Sequence, residues 1–232
     1  MDKFIEIKNL SKNYGKVTAL DEISLAIDQG AVVGILGPNG SGKSTLIKTM
    51  AGLVKADSGE IIIGGSALNS KSRGFIAYLS DEPYMYENFK VADIIKVYSD
   101  FFDDFDKDFM DRMVEYLYID KKSKIKGLTK GDAAKLGICL NLARDAKLYL
   151  FDEPLDGVDP ISAQKLIDII IDKIDGEKTF VISTHQIGLF EKLFDQVIFL
   201  NNGEVYEQGS VRDIRNSQQI EIKNYYDRLY MG

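Results

Sequence analysis

The residues with the clearest chemistry are Gly37-Pro38-Asn39-Gly40-Ser41-Gly42-Lys43-Ser44. Glycines at these offsets let successive backbone N–H groups turn inward around phosphate oxygens. A helix starting at the Lys-Ser pair adds the partial positive charge of its N-terminus. Lys43 is then a mobile cation for the outer phosphates, Ser44 a hydroxyl for a divalent metal ion, and Thr45 a further ligand-facing residue. A glycine-rich strand-to-helix turn that binds nothing would leave the Lys-Ser pair at that offset unexplained. A second group closes the apolar run Leu148-Tyr149-Leu150-Phe151 with Asp152, Glu153 and Pro154. Asp152 at a strand end can hold the metal through water, and Glu153 is placed to polarise an attacking water.

These groups need rigid elements behind them. Short strand-like runs come first: Phe4, Ile5 and Ile7; then Ile23, Leu25 and Ile27; then Val32 to Leu36, which feeds the glycine-rich turn. The spacing predicts a helix over 44–53 and strands over 60–63 and 75–79. From about 88 to 145 the pattern is helical with no convincing strand. Strand and helix then alternate: strands at 147–151, 179–183 and 196–200, helices at 161–174 and 187–194. Ala163, Leu166, Ile167, Ile170, Ile171 and Ile174 form one stripe, as on a helix covering a sheet. The runs Leu148–Phe151 and Phe180–Ile182 suit strands buried on both faces. The expectation is one α/β domain, with core and β-subdomain at 1–87 and 146–210, a helical subdomain at 88–145 and a helical tail at 211–232.

Composition narrows the function classes. The chain of 232 residues has a net charge of −7, which disfavours a large nucleic-acid surface because phosphate neutralisation requires clustered Lys and Arg. No stretch approaches the ~20 apolar residues of a transmembrane helix, and the N-terminus has no signal-peptide core. Membrane association is therefore expected to come through a partner. The single cysteine, Cys139, sits in an apolar helical pattern and reads as a packed core thiol. The patch from Phe101 to Phe109 reads as a helix end with solvated carboxylates. Tyr84, Met85 and Tyr86 suit either an interface or an anchor for their own loop.

Taken in order, the motifs resemble the ABC ATPase family over residues 1 to about 210. Tyr14 in Asn-Tyr-Gly-Lys resembles the aromatic of the A-loop, Tyr78-Leu79-Ser80-Asp81-Glu82-Pro83 the Q-loop, and Leu128-Thr129-Lys130-Gly131-Asp132 the family signature. Leu155-Asp156-Gly157-Val158-Asp159 resembles the D-loop, and Ser183-Thr184-His185 the switch histidine, which is the chain's one histidine. The resemblance implies a P-loop NTPase with a RecA-like core, an antiparallel β-subdomain and a helical subdomain. It implies ATP and Mg²⁺ as ligands. Tyr14 would stack on adenine; Gly37 to Thr45 would hold the phosphates; Ser44, Asp81 and Asp152 would hold the metal. Glu153, His185 and Lys43 would be catalytic. Thr129 and Gly131 would face the nucleotide of a second protomer, in a homodimer or heterodimer.

Three departures from the family pattern stand out: Asp81 replaces a glutamine, Lys130 and Asp132 replace a glycine and a glutamine, and Asp156 replaces a small hydroxyl residue. The overall style resembles small bacterial exporter ATPases of the ABC-2 type. That implies an ATP-hydrolysing subunit on the cytoplasmic face of the cell membrane, powering a separate membrane-spanning permease that exports peptides, antibiotics or envelope compounds. Two alternatives stay open at this point. One is a regulatory clamp that binds ATP with little hydrolysis. The other is a soluble mechanical ABC ATPase, which would call for a coiled coil that is not visible between Lys43 and Asp152.

Overall fold

Alternating and continuous apolar runs sort into two different sheets. The computed structural model describes residues 3–82 and 85–231. The chain opens with strands β1 (Lys3–Tyr14), β2 (Val17–Asp28) and β3 (Val32–Leu36), then helix α1 (Lys43–Met50) and strands β4 (Ser58–Ile63) and β5 (Ser66–Ala67). Helix α2 (Ser70–Gly74) leads into β6 (Ile76–Leu79), followed by helices α3 (Val91–Phe101), α4 (Lys107–Tyr116) and α5 (Lys130–Leu142). The second half runs β7 (Leu148–Asp152), α6 (Pro160–Lys173), β8 (Thr179–Ser183), α7 (Ile187–Phe190), β9 (Gln196–Asn201), β10 (Glu204–Ser210), α8 (Val211–Gln218) and α9 (Ile222–Tyr230).

Strands β2, β1, β4 and β5 form a four-stranded sheet in that order, with every recorded pairing antiparallel. The six-stranded sheet has the order β10-β9-β3-β8-β7-β6; its strands are parallel except for β10 at one edge. Strands β3, β7 and β8 are buried at every position, as parallel strands with both faces covered must be.

Side chains alternate across a strand, so each central strand feeds two cores. Tyr149, Phe151 and Phe180 face the core that includes residues of α3 to α6 and α9. Leu148, Leu150, Val181, Val33 and Ile35 face the other, filled by Leu46, Ile47 and Met50 of α1 and by the β1–β2 hairpin. Burying each of those α1 side chains contributes about 1.5–3 kcal/mol, which holds the helix start at a set height above β3. Cys139 is fully buried, and burial pushes its thiol up to about 12, as a packed core thiol requires.

Several elements differ from their sequence expectation. The hairpin strands β1 and β2 are far longer than the apolar runs, because register shifts along β1 interrupt the alternation. Helix α7 ends at Phe190, and the chain then turns through 191–193 so that Phe194 stacks on Phe190 at 6.1 Å. On α6 the buried stripe is narrower than expected: Ile170 is buried, whereas Ile171 is 44% exposed. Strand β10 was not expected, since its half-exposed residues follow no clear period.

The acidic patch at 101–109 is also not a row of solvated carboxylates. Asp106 caps α4 by accepting from the Phe109 amide at 2.8 Å. Asp104 takes both Nε and Nη2 of Arg144, at 2.7 and 2.9 Å. Arg144 is 4% exposed, donates to the Gly74 carbonyl at 2.7 Å, and lies 3.7 Å over the Phe102 ring. A charge this deeply buried needs its paired carboxylate.

Candidate functional site

The phosphate-binding turn follows β3 directly. Gly42 has φ +105° at the cap of α1, and a Cβ there would stand 2.5 Å from the Ala19 carbonyl oxygen, so no larger residue fits. The turn therefore packs on the β2 strand as well as on its own helix. Lys43 is 6% exposed, and its Nζ donates to the carbonyls of Gly37 at 2.8 Å and Pro38 at 3.2 Å. Burial pulls the Lys43 ammonium below its ordinary range, opposed by the charges of Glu153 and Asp152.

Parallel pairing of β7 with β8 sets the opposite wall. Asp152 stands in register with Ser183, so the residues after each strand end up side by side. Asp152 is fully buried; its Oδ1 accepts from Ser183 Oγ at 2.5 Å, while Oδ2 has no hydrogen-bond partner. Glu153 has φ +46°, a left-handed backbone costing about 1–3 kcal/mol in a non-glycine residue. Its amide is held by the Ser183 carbonyl and hydroxyl, each at 3.1 Å. That twist turns the carboxylate toward His185: Oε2 accepts from the His185 amide at 3.1 Å and lies 2.9 Å from Nδ1. Glu153 and His185, two of the three residues expected to be catalytic, thus form one hydrogen-bonded pair from different motifs.

Both walls border a cavity of about 740 Å³. It is lined by Gly37, Pro38, Asn39, Gly40, Gly42, Lys43, Ser44 and Thr45 on one side, and by Asp81, Glu153, Asp156 and His185 on the other. Ser41 is not in this lining; its buried hydroxyl has no hydrogen-bond partner. Val17, Thr18 and Ala19 close one end. Tyr14 pairs with Val17 across the β1–β2 turn and is half exposed, beside this end but outside the lining.

The donor set fits a divalent cation. Asp152 Oδ2 is buried with no hydrogen-bond partner, an arrangement that a cation beside it would relieve. Ser44 and Asp81 line the cavity, whereas Asp152 is not among its lining residues. Among the described residues no group of three or more His, Cys, Asp or Glu could hold a metal. Mg²⁺ commonly takes only one or two protein oxygens and completes its shell with phosphate oxygens and water.

Thr129 and Gly131 lie outside this lining. Thr129 caps α5, accepting from the Asp132 amide at 3.1 Å and donating to the Asp132 carboxylate at 2.8 Å. Gly131 presses on the next loop: a Cβ there would stand 2.7 Å from the Gly157 carbonyl oxygen. Two of the unusual residues meet each other, with Lys130 Nζ 2.6 Å from the Asp156 carboxylate. That hydrogen bond is the main reason the Asp156 carboxyl is held below its usual range. The replacements at Lys130 and Asp156 are complementary, tying the start of α5 to the loop after β7. Of the neighbouring aromatics, Tyr84 lies outside the described residues. Met85 is half-buried against the larger core, and Tyr86 is 61% exposed with its ring 5.1 Å from that of Phe89.

A mononucleotide-sized cavity, a phosphate loop and a paired carboxylate and histidine at adjacent parallel strand ends define a nucleoside triphosphatase. The sequence profile of the ABC transporter family matches residues 20–156. The lantibiotic transport ATP-binding protein SrtF of Streptococcus pyogenes is 34% identical over 218 residues, covering 93% of this chain and 95% of that protein. The SkfA peptide export ATP-binding protein SkfE of Bacillus subtilis is 30% identical, covering 88% of each. A solved ATP-binding subunit of an ABC transporter superposes with a TM-score of 0.84 at 26% identity, over 97% of this chain and 99% of that one. The chain belongs to the ABC transporter ATP-binding family. It is an ATP-binding ABC ATPase, a hydrolase of ATP.

Two parts of the cavity carry no motif in the sequence. Val17 to Ala19 open strand β2 just after Tyr14, and their residue types carry no distinctive chemistry. Tyr226 of α9 also lines the cavity, far along the chain from every motif.

Proposed function

We propose that the chain is the energising subunit of an exporter: a pair of such ATPases on the cytoplasmic face of the membrane drives a separate membrane-spanning permease that carries peptide-like, antibiotic or envelope cargo. The observation that carries this reading is the division of the site. Gly37 to Thr45, Glu153 and His185 share one cavity, whereas Thr129 and Gly131 stand outside it. A second protomer, turned head to tail, would bring its own Thr129 and Gly131 against the nucleotide and complete the enclosure.

Within that sandwich Lys43 and the amides of residues 37–45 bind and orient the phosphates. Mg²⁺, when bound, neutralises phosphate charge, and Ser44, Asp81 and Asp152 would hold it. Glu153 accepts a proton from the attacking water, and His185, already paired with Glu153, steadies the water and the outer phosphate. Tyr14 stacks on adenine beside Val17.

Among the described residues no helix is long and apolar enough to cross a membrane. Contact with the permease is assigned to the loop after Asp81, where Tyr86 is 61% exposed, with Phe101, 80% exposed at the end of α3, as a second exposed aromatic. The cargo class rests on the names of SrtF and SkfE together with the exporter-like style of the sequence. The test is to co-purify the chain with a membrane subunit and measure ATPase stimulation. Tyr86→Ser combined with Phe101→Ser should lose stimulation and keep basal turnover. Full stimulation of that double variant would move the docking surface elsewhere.

A further inference from the structure

Helix α9 lies beyond the segment that the family profile matches. It is nonetheless firmly tied to the core. Ile222, Tyr225 and Tyr226 are buried. Tyr225 donates to Glu207 at 2.6 Å, and Tyr230 donates to the Leu200 carbonyl at 3.0 Å. Arg215 of α8 bridges Glu191 at 3.1 Å and Glu221, the cap of α9, at 2.7 Å. These bonds fix where Tyr226 stands: its ring lies 4.8 Å from that of Tyr230, and its side chain lines the cavity that holds Lys43, Glu153 and His185. Tyr226 also borders a smaller neighbouring cavity, lined by His185, Gln186, Lys223 and Asp227. It therefore stands at the His185 side of the site.

Besides the phosphate loop, that side offers few side-chain donors: His185 is one, and its Nδ1 already faces Glu153. Asp81, Glu153 and Asp156 all bring carboxylates to the cavity, and ionised carboxylates only accept. A terminal phosphate also only accepts, so it has to find N–H and O–H groups among them. Lys43 is one such donor, and the phenol of Tyr226 is another. Burial, followed by the charges of Asp227 and Glu153, pushes that phenol above its ordinary range, so it keeps its proton at neutral pH.

We propose that Tyr226 is a nucleotide-binding residue whose phenolic O–H donates to the terminal phosphate of ATP, making α9 part of the device that tells ATP from ADP. This rests on the reading that the cavity around Lys43 holds the nucleotide.

The test is calorimetric titration of the full chain with a non-hydrolysable ATP analogue and with ADP, each in Mg²⁺, for wild type, Tyr226→Phe, Tyr230→Phe and Lys43→Ala. Phenylalanine keeps the ring against Tyr230 and removes only the hydroxyl. Tyr226→Phe should weaken the triphosphate by about 10-fold or more, the scale of one hydrogen bond to a charged group, and leave ADP within about 2-fold. Tyr230→Phe loosens the anchor of α9 without touching the cavity and should leave the ratio of the two affinities unchanged. Equal weakening of both nucleotides by Tyr226→Phe would mean a general packing defect and overturn the proposal. So would wild-type triphosphate affinity in Tyr226→Phe while Lys43→Ala is impaired, with the cavity assignment intact. Wild-type affinity in Lys43→Ala would instead remove the nucleotide from this cavity and take the proposal with it.

Discussion

Replacing Glu153 by glutamine separates binding from chemistry. The substitution is nearly isosteric. Oε2 of Glu153 accepts from the His185 amide and faces Nδ1, and the glutamine carbonyl oxygen can take the same place. The left-handed backbone at φ +46° is held by the Ser183 carbonyl and hydroxyl, which the substitution does not touch. Folding should therefore be almost unaffected, and nucleotide affinity should not fall, because a negative charge leaves a cavity that binds a polyanion. What is lost is the proton acceptor. General-base catalysis contributes about 2–4 decades, or roughly 3–5 kcal/mol of barrier, so kcat should fall 100- to 10,000-fold. The assay is phosphate release at saturating Mg²⁺ and ATP, with light scattering on the same samples. Slow turnover should leave a nucleotide-bound pair that persists with ATP and separates without it. Folded Glu153→Gln enzyme turning over within about 3-fold of wild type would take the proton-acceptor role away from Glu153. A pair that forms equally well without nucleotide would refute the shared site.

Asp104→Asn leaves the Arg144 guanidinium buried with a neutral partner; because the Asp104 side chain is itself 31% exposed, the expected loss is about 2–3 kcal/mol, below the range for a fully buried pair. For a domain of this size that lowers Tm by roughly 5–10 °C in a thermal melt, and a shift under about 1 °C would make the pair energetically idle. Asp81→Asn should reduce the Mg²⁺ dependence of nucleotide affinity by roughly 10-fold in titrations at fixed nucleotide, while superimposable curves would place Asp81 outside the metal site.

Short stretches of neighbouring residues were legible from the amino-acid order alone. Gly37 to Ser44 can be read without a fold, because the chemistry of a phosphate cradle is built from consecutive amides, glycines that permit their turns, and a helix start. The buried strands β3, β7 and β8 are legible for the same reason: continuous apolar runs have few other ways to fold. Asp152 and Glu153 are legible as a strand end, and His185 as the residue after another. That the two ends touch follows only from the parallel register of β7 with β8. The remaining features depend on contacts between distant segments, which leave no local period. Lys130 and Asp156 read as separate oddities until folding set them 2.6 Å apart. Asp104 reads as solvated until Arg144, 40 positions away, is found beneath it. Met85 anchors its loop while Tyr86 beside it faces out, a choice made by where the larger core happens to end. Tyr226 has no motif around it at all. Its place at the nucleotide cavity depends on the bonds that tie α8 and α9 to Glu191, Leu200 and Glu207, so only tertiary packing could assign it to the site.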